Sequence, residues 1–256
     1  MAGTPCIVTT GIVLRETETK ETDKILTLLT PGRGKISVIA RGARRKGCKF
    51  AASAQSLAWS EWTLYQRGQW YYAREGSTLE LFNGLRADLD ALALGFYFAE
   101  LTEALTIEET PSEEPLRHLL NGLYALSTLH KPPELVKPAF ELRLLCVSGY
   151  EPLVDACAYC GAEELEAPVL DVAQGVLRCK TCGGAVGPAP SVPLCWDSLA
   201  ALRHIVYGNP KRLYSFSLGA GALARLDRAA EAFLTAQLDR GFKTLDFYKS
   251  LQVPSK

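Results

Sequence analysis

The stretch DKILTLLTPGRGKISVIA, residues 23–40, decides the fold. Residues 25–29 and 35–40 are rich in β-branched and aliphatic side chains, and Pro31-Gly32-Arg33-Gly34 between them is a turn signal. The stretch therefore predicts two strands joined by a tight connection. Residues 7–14, with the same composition, add a strand before it. Downstream, Trp59, Glu61, Thr63 and Tyr65 alternate with Ser60, Trp62 and Leu64, and Arg67-Gly68-Gln69 separates this run from residues 70–74, which predicts a hairpin. About five strands in roughly 80 residues predict a small barrel, closed so that no edge is left exposed. Periodicity alone fits an OB-fold and an SH3-like barrel equally.

After Gly84 the pattern changes to helical spacing, as in Leu85, Leu89, Leu92 and Phe96, and places a boundary near residues 82–86. Thr110-Pro111-Ser112-Glu113 reads as an N-cap, a proline at the first helical position and a capping-box glutamate, opening a helix to about residue 130. Pro132-Pro133 ends it, a further helix covers residues 134–148, and Gly149 stops that one. Helical spacing returns over residues 192–207 and 221–251, so the cysteine-bearing segment between is an insert in a helical unit. The sequence divides into residues 1–84 and residues 85–256, with the inserted module at 153–187.

With 256 residues, 48% hydrophobic and 22% charged, the chain can bury a sizeable core. It shows neither a basic start followed by an apolar stretch and a cleavage site nor a long uncharged apolar run, so a cytoplasmic, membrane-free location is expected. The net charge of zero conceals an asymmetry. Residues 1–84 carry 12 Lys and Arg against 7 Asp and Glu, a charge of +5, which leaves −5 on the rest. Residues 33–49 hold seven basic residues and no acidic one, a local field suited to a polyanion.

The most specific signal lies in the insert. In Cys157-Ala-Tyr-Cys160-Gly and Cys179-Lys-Thr-Cys182-Gly, eighteen residues separate Cys160 from Cys179, a zinc-ribbon spacing. Two knuckles can direct four thiolates at one tetrahedral ion, and a fully thiolate shell leaves no position for water, so one structural Zn2+ is expected. Paired knuckles argue against a redox centre and against a disulfide framework. Cys6, Cys48, Cys146 and Cys195 read as single buried or neutral thiols.

The Arg41-Gly-Ala-Arg44-Arg45-Lys46-Gly-Cys-Lys49 loop is glycine-spaced and well made for phosphates, with an affinity that falls steeply with salt. Single strands also want aromatic platforms, for which Trp59, Trp62, Tyr65, Trp70, Tyr71 and Tyr72 are candidates. Alternation puts about half of them inside the barrel without saying which half. Catalytic constellations are thin. His118, His130 and His204 lie far apart on helices, no Gly-x-x-x-x-Gly-Lys-Ser/Thr loop occurs, and the pairs Asp88/Asp90 and Glu113/Glu114 read as solvated helix charges.

Residues 21–35, the loop at 40–46 and Gly149-Tyr-Glu-Pro-Leu-Val-Asp-Ala-Cys157 together resemble the bacterial RecO family of DNA repair proteins. Leu85-Arg86-Ala-Asp88-Leu89 with Tyr97 and Glu100, and Phe242-Lys243-Thr-Leu245-Asp-Phe247, are similar to the family in the expected order, so the resemblance spans the chain. It departs at Cys48, where the family more often has serine, and at the apolar Val38-Ile39. The resemblance implies an α+β chain: an N-terminal five-stranded OB-fold barrel, then an all-helical domain carrying an inserted four-cysteine zinc-ribbon-like module. It also implies a recombination mediator without catalytic turnover. Such a mediator binds single- and double-stranded DNA, anneals strands, contacts RecR and the single-strand-binding protein, and helps load RecA. Some relatives lack the cysteines, so the zinc is expected to serve stability. Carried over by position, DNA contacts fall on Lys35, Arg41, Arg44, Arg45, Lys46 and Lys49, with Arg240 and Lys243 as weaker ones. Lys131, Lys137 and Arg143 are candidates for the acidic C-terminal tail of the single-strand-binding protein. A zinc-ribbon enzyme acting on nucleic acid or thiols and an adaptor that binds only proteins are the alternatives.

Overall fold

Alternating side chains and glycine turns build five strands at the N-terminus of the computed structural model, which describes residues 6–183 and 190–252. The tail of the expected zinc module, residues 184–187, and the outermost residues of the two expected domains, 1–5 and 253–256, lie outside the described residues. The strands are β1 (Cys6–Thr19), β2 (Asp23–Thr30), β3 (Gly34–Ala40), β4 (Trp59–Arg67) and β5 (Trp70–Glu80). They close in the order β1-β2-β3-β5-β4, with β1 pairing to both β2 and β4 and β3 running parallel to β5. That is an OB-type Greek-key barrel. β1 closes it because it is long: residues 6–12 pair with β4 and residues 12–19 with β2, with a register shift between Val13 and Arg15 that bends the strand.

The interior is filled by every second residue, among them Leu26, Leu28, Ile36, Val38, Trp62 and Leu64. Small residues make this filling possible. A Cβ on Gly11 would stand 2.8 Å from Leu28 Cγ. β1 and β2 are buried on their outer side too, because helices α1 (Leu89–Leu105) and α2 (Glu113–Ser127) pack there.

The residues up to 129 form one compact unit together with those from 242 onward, and residues 130–241 form the other. In the first unit, Asp88 caps α1 by accepting from the amides of Asp90 and Ala91. Ser112, rather than Thr110, is the N-cap residue of α2. The amide of Ser112 donates to Pro31 O at 2.9 Å and that of Glu109 to Lys35 O at 3.2 Å, so residues 109–112 are held by the β2–β3 turn and cannot enter the helix. The same crossing explains Gly34: its φ is +56°, and a Cβ there would lie 1.9 Å from Thr110 O.

The second unit contains α3 (Pro133–Val147), a small sheet, a four-residue helix α4 (Lys180–Gly183), α5 (Trp196–Tyr207) and α6 (Ala220–Leu238). The sheet is β6 (Leu153–Cys157), β7 (Val169–Asp171), β8 (Val176–Arg178) and β9 (Ser191–Pro193), in the order β6-β8-β7-β9. β9 occupies residues expected to start a helix, because Leu170 pairs with Val192 and holds that segment extended.

The single helical pattern over residues 221–251 is broken into α6 and α7 (Lys243–Leu251). Asp239 takes the left-handed conformation, φ 47°, and ends α6. α7 belongs to the first unit, where Thr244 N donates to Glu100 Oε2 of α1 at 3.1 Å and the Tyr97 and Phe242 rings meet edge to face at 5.9 Å. The distant blocks around residues 97–100 and 242–245 are thus one packing interaction. Among the described residues no helix is long and apolar enough to cross a membrane.

Candidate nucleic-acid interface and metal centre

The basic loop is a pinned structure. After β3 the chain makes successive turns over residues 41–58 and drops Ala43 and Ala54 into the barrel core, while Phe50 packs edge-on against Trp62. Gly42, at φ +65°, donates its amide to Asp23 Oδ1 at 2.7 Å. That bond, acting against a small desolvation cost, holds the Asp23 carboxyl below the usual range. The amide of Arg44 donates to Thr22 O at 3.0 Å, and Lys24 Nζ donates to Ala54 O at 3.1 Å.

The cations of this loop are therefore carried on a fixed backbone, and the structure separates them. Arg41, Arg45, Lys46 and Lys49 are exposed, and among the described residues none is paired with a carboxylate. Arg44 differs: its guanidinium lies 3.0 Å from Glu18 and donates to Glu21 O, so it fastens the loop to the β1–β2 hairpin. Lys35 is half-buried and donates to Glu103 O at 2.8 Å. Arg240 is exposed beyond α6 in one compact unit, and Lys243 is exposed at the start of α7 in the other. Sequence reasoning does not single out the fastening residues Asp23 and Glu18. Only the turn-forming Thr22-Asp23 before a strand hints at them.

Which aromatics lie inside is settled by the strand period. Trp62 and Tyr71 point into the barrel, whereas Tyr65 and Tyr72 stand half-buried on its outer surface and Trp70 is exposed at the hairpin. Tyr65 and Tyr72 are direct cross-strand partners, stacked at 5.2 Å and 14°, and the Arg41 guanidinium lies over the Tyr72 ring at 4.8 Å.

In the second unit the two knuckles converge. Cys157 ends β6, Cys160 follows in a turn, Cys179 directly follows β8 and Cys182 sits in α4. Their four sulfurs all lie within 4.8 Å of one another, and Cys160 Sγ and Cys179 Sγ are 3.8 Å apart. Tetrahedral ligation with bonds of about 2.3 Å puts sulfurs about 3.8 Å apart, so the donor set fits a metal ion of zinc's preference.

The backbone favours thiolates here. For Cys157, burial opposes ionisation, but the amides of Cys160, Tyr159 and Cys179 outweigh it and pull the thiol down to about 6. The Cys182 amide draws Cys179 down in the same way. Cys182, hydrogen-bonded to Cys179 and Cys160, is held up at about 12, so it is the thiol whose proton a bound metal ion would have to displace.

The module is braced from the helices. Arg203 of α5 donates to the carbonyls of Val154, Asp155 and Glu163 at 2.7, 2.6 and 3.1 Å, and Gln237 of α6 donates to Val172 O at 2.9 Å. Asp171 and Arg178, both buried, form an ion pair between β7 and β8. Asp171 also accepts from the amides of Ala173 and Gln174, closing the hairpin.

The residues expected to meet an acidic tail are placed differently from an open basic rim. Lys137 is buried in α3, its ammonium 3.2 Å from Glu141, 2.7 Å from Asp227 and 3.5 Å from Glu231. Burial opposes its charge, but the three carboxylates outweigh burial and leave its pKa above the ordinary lysine range. Arg143 donates to Ile205 O and Val206 O, the latter at 2.6 Å, and so satisfies the last carbonyls of α5. Lys131 is half-exposed before α3.

The chain thus joins an OB-type barrel with a fixed basic loop to a helical unit bearing a four-cysteine module, the architecture of a two-part binding protein with a metal-ligand cluster. Residues 6–82 match the family model for the N-terminal part of recombination protein O, and residues 86–246 match the one for its C-terminal part. The chain is 33% identical over 255 residues to the DNA repair protein RecO of Symbiobacterium thermophilum, covering 94% of this chain and 96% of that one. It is 35% identical over 234 residues to that of Anaeromyxobacter dehalogenans, at 90% and 91% coverage, and 29% identical over 243 residues to that of Acetivibrio thermocellus, at 95% and 96%. The chain belongs to the RecO family of DNA repair proteins.

Proposed function

We propose that this protein is a non-enzymatic recombination mediator that grips DNA phosphates through the loop at residues 41–49. In this reading residues 1–84 are the DNA-binding domain and residues 85–256 the helical domain with its zinc module at 153–187. The protein binds single and double strands, promotes annealing and, with RecR, loads RecA onto DNA coated by the single-strand-binding protein. The observation that carries the proposal is the set of four exposed cations, Arg41, Arg45, Lys46 and Lys49, on a backbone anchored by Asp23. Cations held this way meet phosphates without first ordering the loop, and they act alike on every sequence. Arg44 positions the loop, Lys35 adds charge from the barrel wall, and Arg240 and Lys243, one in each compact unit, are weaker DNA contacts. Zn2+ on Cys157, Cys160, Cys179 and Cys182 holds the helical domain in shape, since four thiolates leave no ligand position for a reacting group. Lys131 remains the candidate for the acidic tail.

Reversing Arg45 and Lys46 to glutamate tests the reading without disturbing the Arg44–Glu18 clasp. The double variant should lose affinity for single- and double-stranded DNA alike by an order of magnitude or more, measured by fluorescence anisotropy. Unchanged binding by a folded variant removes the loop from the interface.

A further inference from the structure

The seam between β3 and β5 is closed at one end only. The strands pair at Val38 with Tyr71 and at Ile39 with Tyr72, and β5 begins at Trp70, so the first half of β3 runs on without a paired β5 residue. From the other side Glu108 bridges to Gly34 and Lys35, and the Glu109 amide donates to Lys35 O at 3.2 Å. Between these crossings lies a cavity of about 200 Å³, lined by Lys35, Ser37, Gln69, Trp70, Glu108 and Glu109 among others. All of these residues belong to the barrel unit.

The cavity has one aromatic wall and several open polar groups. Trp70 is 47% exposed, and among the described residues no ring or guanidinium lies over it. None of Ser37, Gln69 and Glu108 has a side-chain hydrogen bond or ion pair among the described residues. Glu109 is engaged: it accepts from Tyr71 Oη at 3.3 Å, and Arg33 Nη1 donates to that hydroxyl at 3.5 Å. Arg67 sits directly across the hairpin from Trp70. Arg33, Lys35 and Arg67 thus outnumber the two carboxylates, a balance suited to a ligand that brings both an anion and hydrogen-bond donors. Two residues beyond Trp70, about 7 Å along the strand, Arg41 of the basic loop covers the Tyr72 ring, so one strand of DNA can meet both features.

We propose that this cavity takes one unpaired base of single-stranded DNA, its ring against the Trp70 indole and its exocyclic amine donating to Glu108. The proposal rests on the DNA-binding role argued above and adds a base-reading site to it. A carboxylate accepts from an amine and repels a carbonyl oxygen, so the site favours cytosine, which offers its N4 amine, over thymine, which offers O4. Arg33 and Arg67 at the rim neutralise the phosphates on either side of the base. A duplex keeps its bases stacked and paired, so it uses the loop and not the cavity. The excess of positive charge disfavours the other candidate occupant, a cationic side chain of a partner protein. The bland explanation is a gap left where two strands part, with no occupant.

The accounts separate by anisotropy titration of the full-length protein with three fluorescein-labelled probes: oligo-dC, oligo-dT of equal length, and a duplex. Mildly alkaline pH keeps the oligo-dC unfolded. The natural protein should bind oligo-dC at least about 5-fold more tightly than oligo-dT, the worth of one amine read by a carboxylate. Glu108→Gln puts a donor and an acceptor on the same frame, which suits N4 and O4 alike, and should bring the ratio close to one. Trp70→Ala should weaken both single strands by about 5- to 100-fold, the worth of one stacked base, and leave duplex affinity and its salt slope in place. Trp70→Phe should keep most of the single-strand affinity, because the aromatic face and not the indole N–H is used.

The site is overturned if the natural protein does not distinguish oligo-dC from oligo-dT, or if the folded Glu108→Gln variant keeps the ratio. It is equally overturned if the folded Trp70→Ala variant binds all three probes as before, the outcome expected of an unoccupied gap or of a surface for a partner protein, or if it loses duplex affinity to the same extent. Failure of the DNA reading itself looks different: none of the three probes binds, or Arg45→Glu with Lys46→Glu changes none of them.

Discussion

Replacing Lys137 with methionine is the sharpest test of how the helical unit is held, because it separates a buried structural lysine from a surface docking residue. The substitution takes from the fully buried Glu141 an ammonium 3.2 Å away. At an effective dielectric of about 20, that attraction is about 5 kcal/mol. Asp227 and Glu231 are closer to water, at 42% and 28% side-chain exposure, so screening leaves them a smaller share. Recovering the desolvation of Lys137 offsets part of the loss, and a net destabilisation of about 3–5 kcal/mol remains, as for other buried pairs broken from one side.

The pH dependence has a definite sign. In the natural protein the Lys137 pKa lies above its unfolded value, so its contribution is complete at pH 5 and pH 7 alike and is lost only at strongly alkaline pH. In the variant the buried Glu141 carboxyl faces methionine, its pKa rises, and the deficit shrinks as the pH falls and Glu141 takes up a proton. Urea unfolding followed by far-ultraviolet circular dichroism should show a larger deficit at pH 7 than at pH 5. Adding Glu141→Leu should restore most of the loss. A deficit below about 1 kcal/mol at pH 7, the value for an exposed ion pair, would refute the reasoning.

Three further outcomes follow from the same geometry. Replacing Cys160 with serine should reduce metal content from about one zinc per chain, measured by elemental mass spectrometry, and lower the melting temperature of the helical unit. DNA affinity of the folded fraction should stay within about two-fold of the natural protein, since the cations proposed to meet phosphates are carried by the loop at residues 41–49. Gly34→Ala should destabilise the barrel unit by about 2 kcal/mol or more in denaturant titration, because the residue combines a positive φ with a carbonyl where its Cβ would stand. Arg178→Met should cost about 3–5 kcal/mol by leaving Asp171 buried opposite a neutral side chain, and Asp171→Leu in the same chain should relieve it.

The barrel is legible because two local signals agree there: alternation in residues 59–65, and the turn at Pro31-Gly32-Arg33-Gly34 between aliphatic runs. The four metal-ligand candidates are legible from spacing alone. The small sheet around them is not, although Val169-Leu-Asp and Val176-Leu-Arg are short β-type runs bracketing Gly175. Runs of three residues carry too little periodicity to stand out, and they hold only because each pairs with a neighbour.

The environment of individual cations is not legible either. Arg44 and Arg45 are adjacent and chemically identical, yet one is paired with Glu18 and the other has no carboxylate partner among the described residues, a difference set by a hairpin more than twenty residues upstream. Lys137 stands on a helix whose residues 135–142 are all buried, so an apolar run on every side is the available sign that its charge points inward. The division of the tyrosines and tryptophans between core and surface requires the register of β4 against β5.

The central claim, that the loop at residues 41–49 neutralises DNA phosphates, is tested most directly by the slope of log K against log salt for duplex binding. Arg45→Gln, Lys46→Gln and Lys49→Gln combined remove three exposed cations without introducing repulsion. The slope should become shallower by about 2 to 3, near 0.9 for each phosphate left without its cation. Superimposable slopes for the natural protein and the folded triple variant would contradict the account.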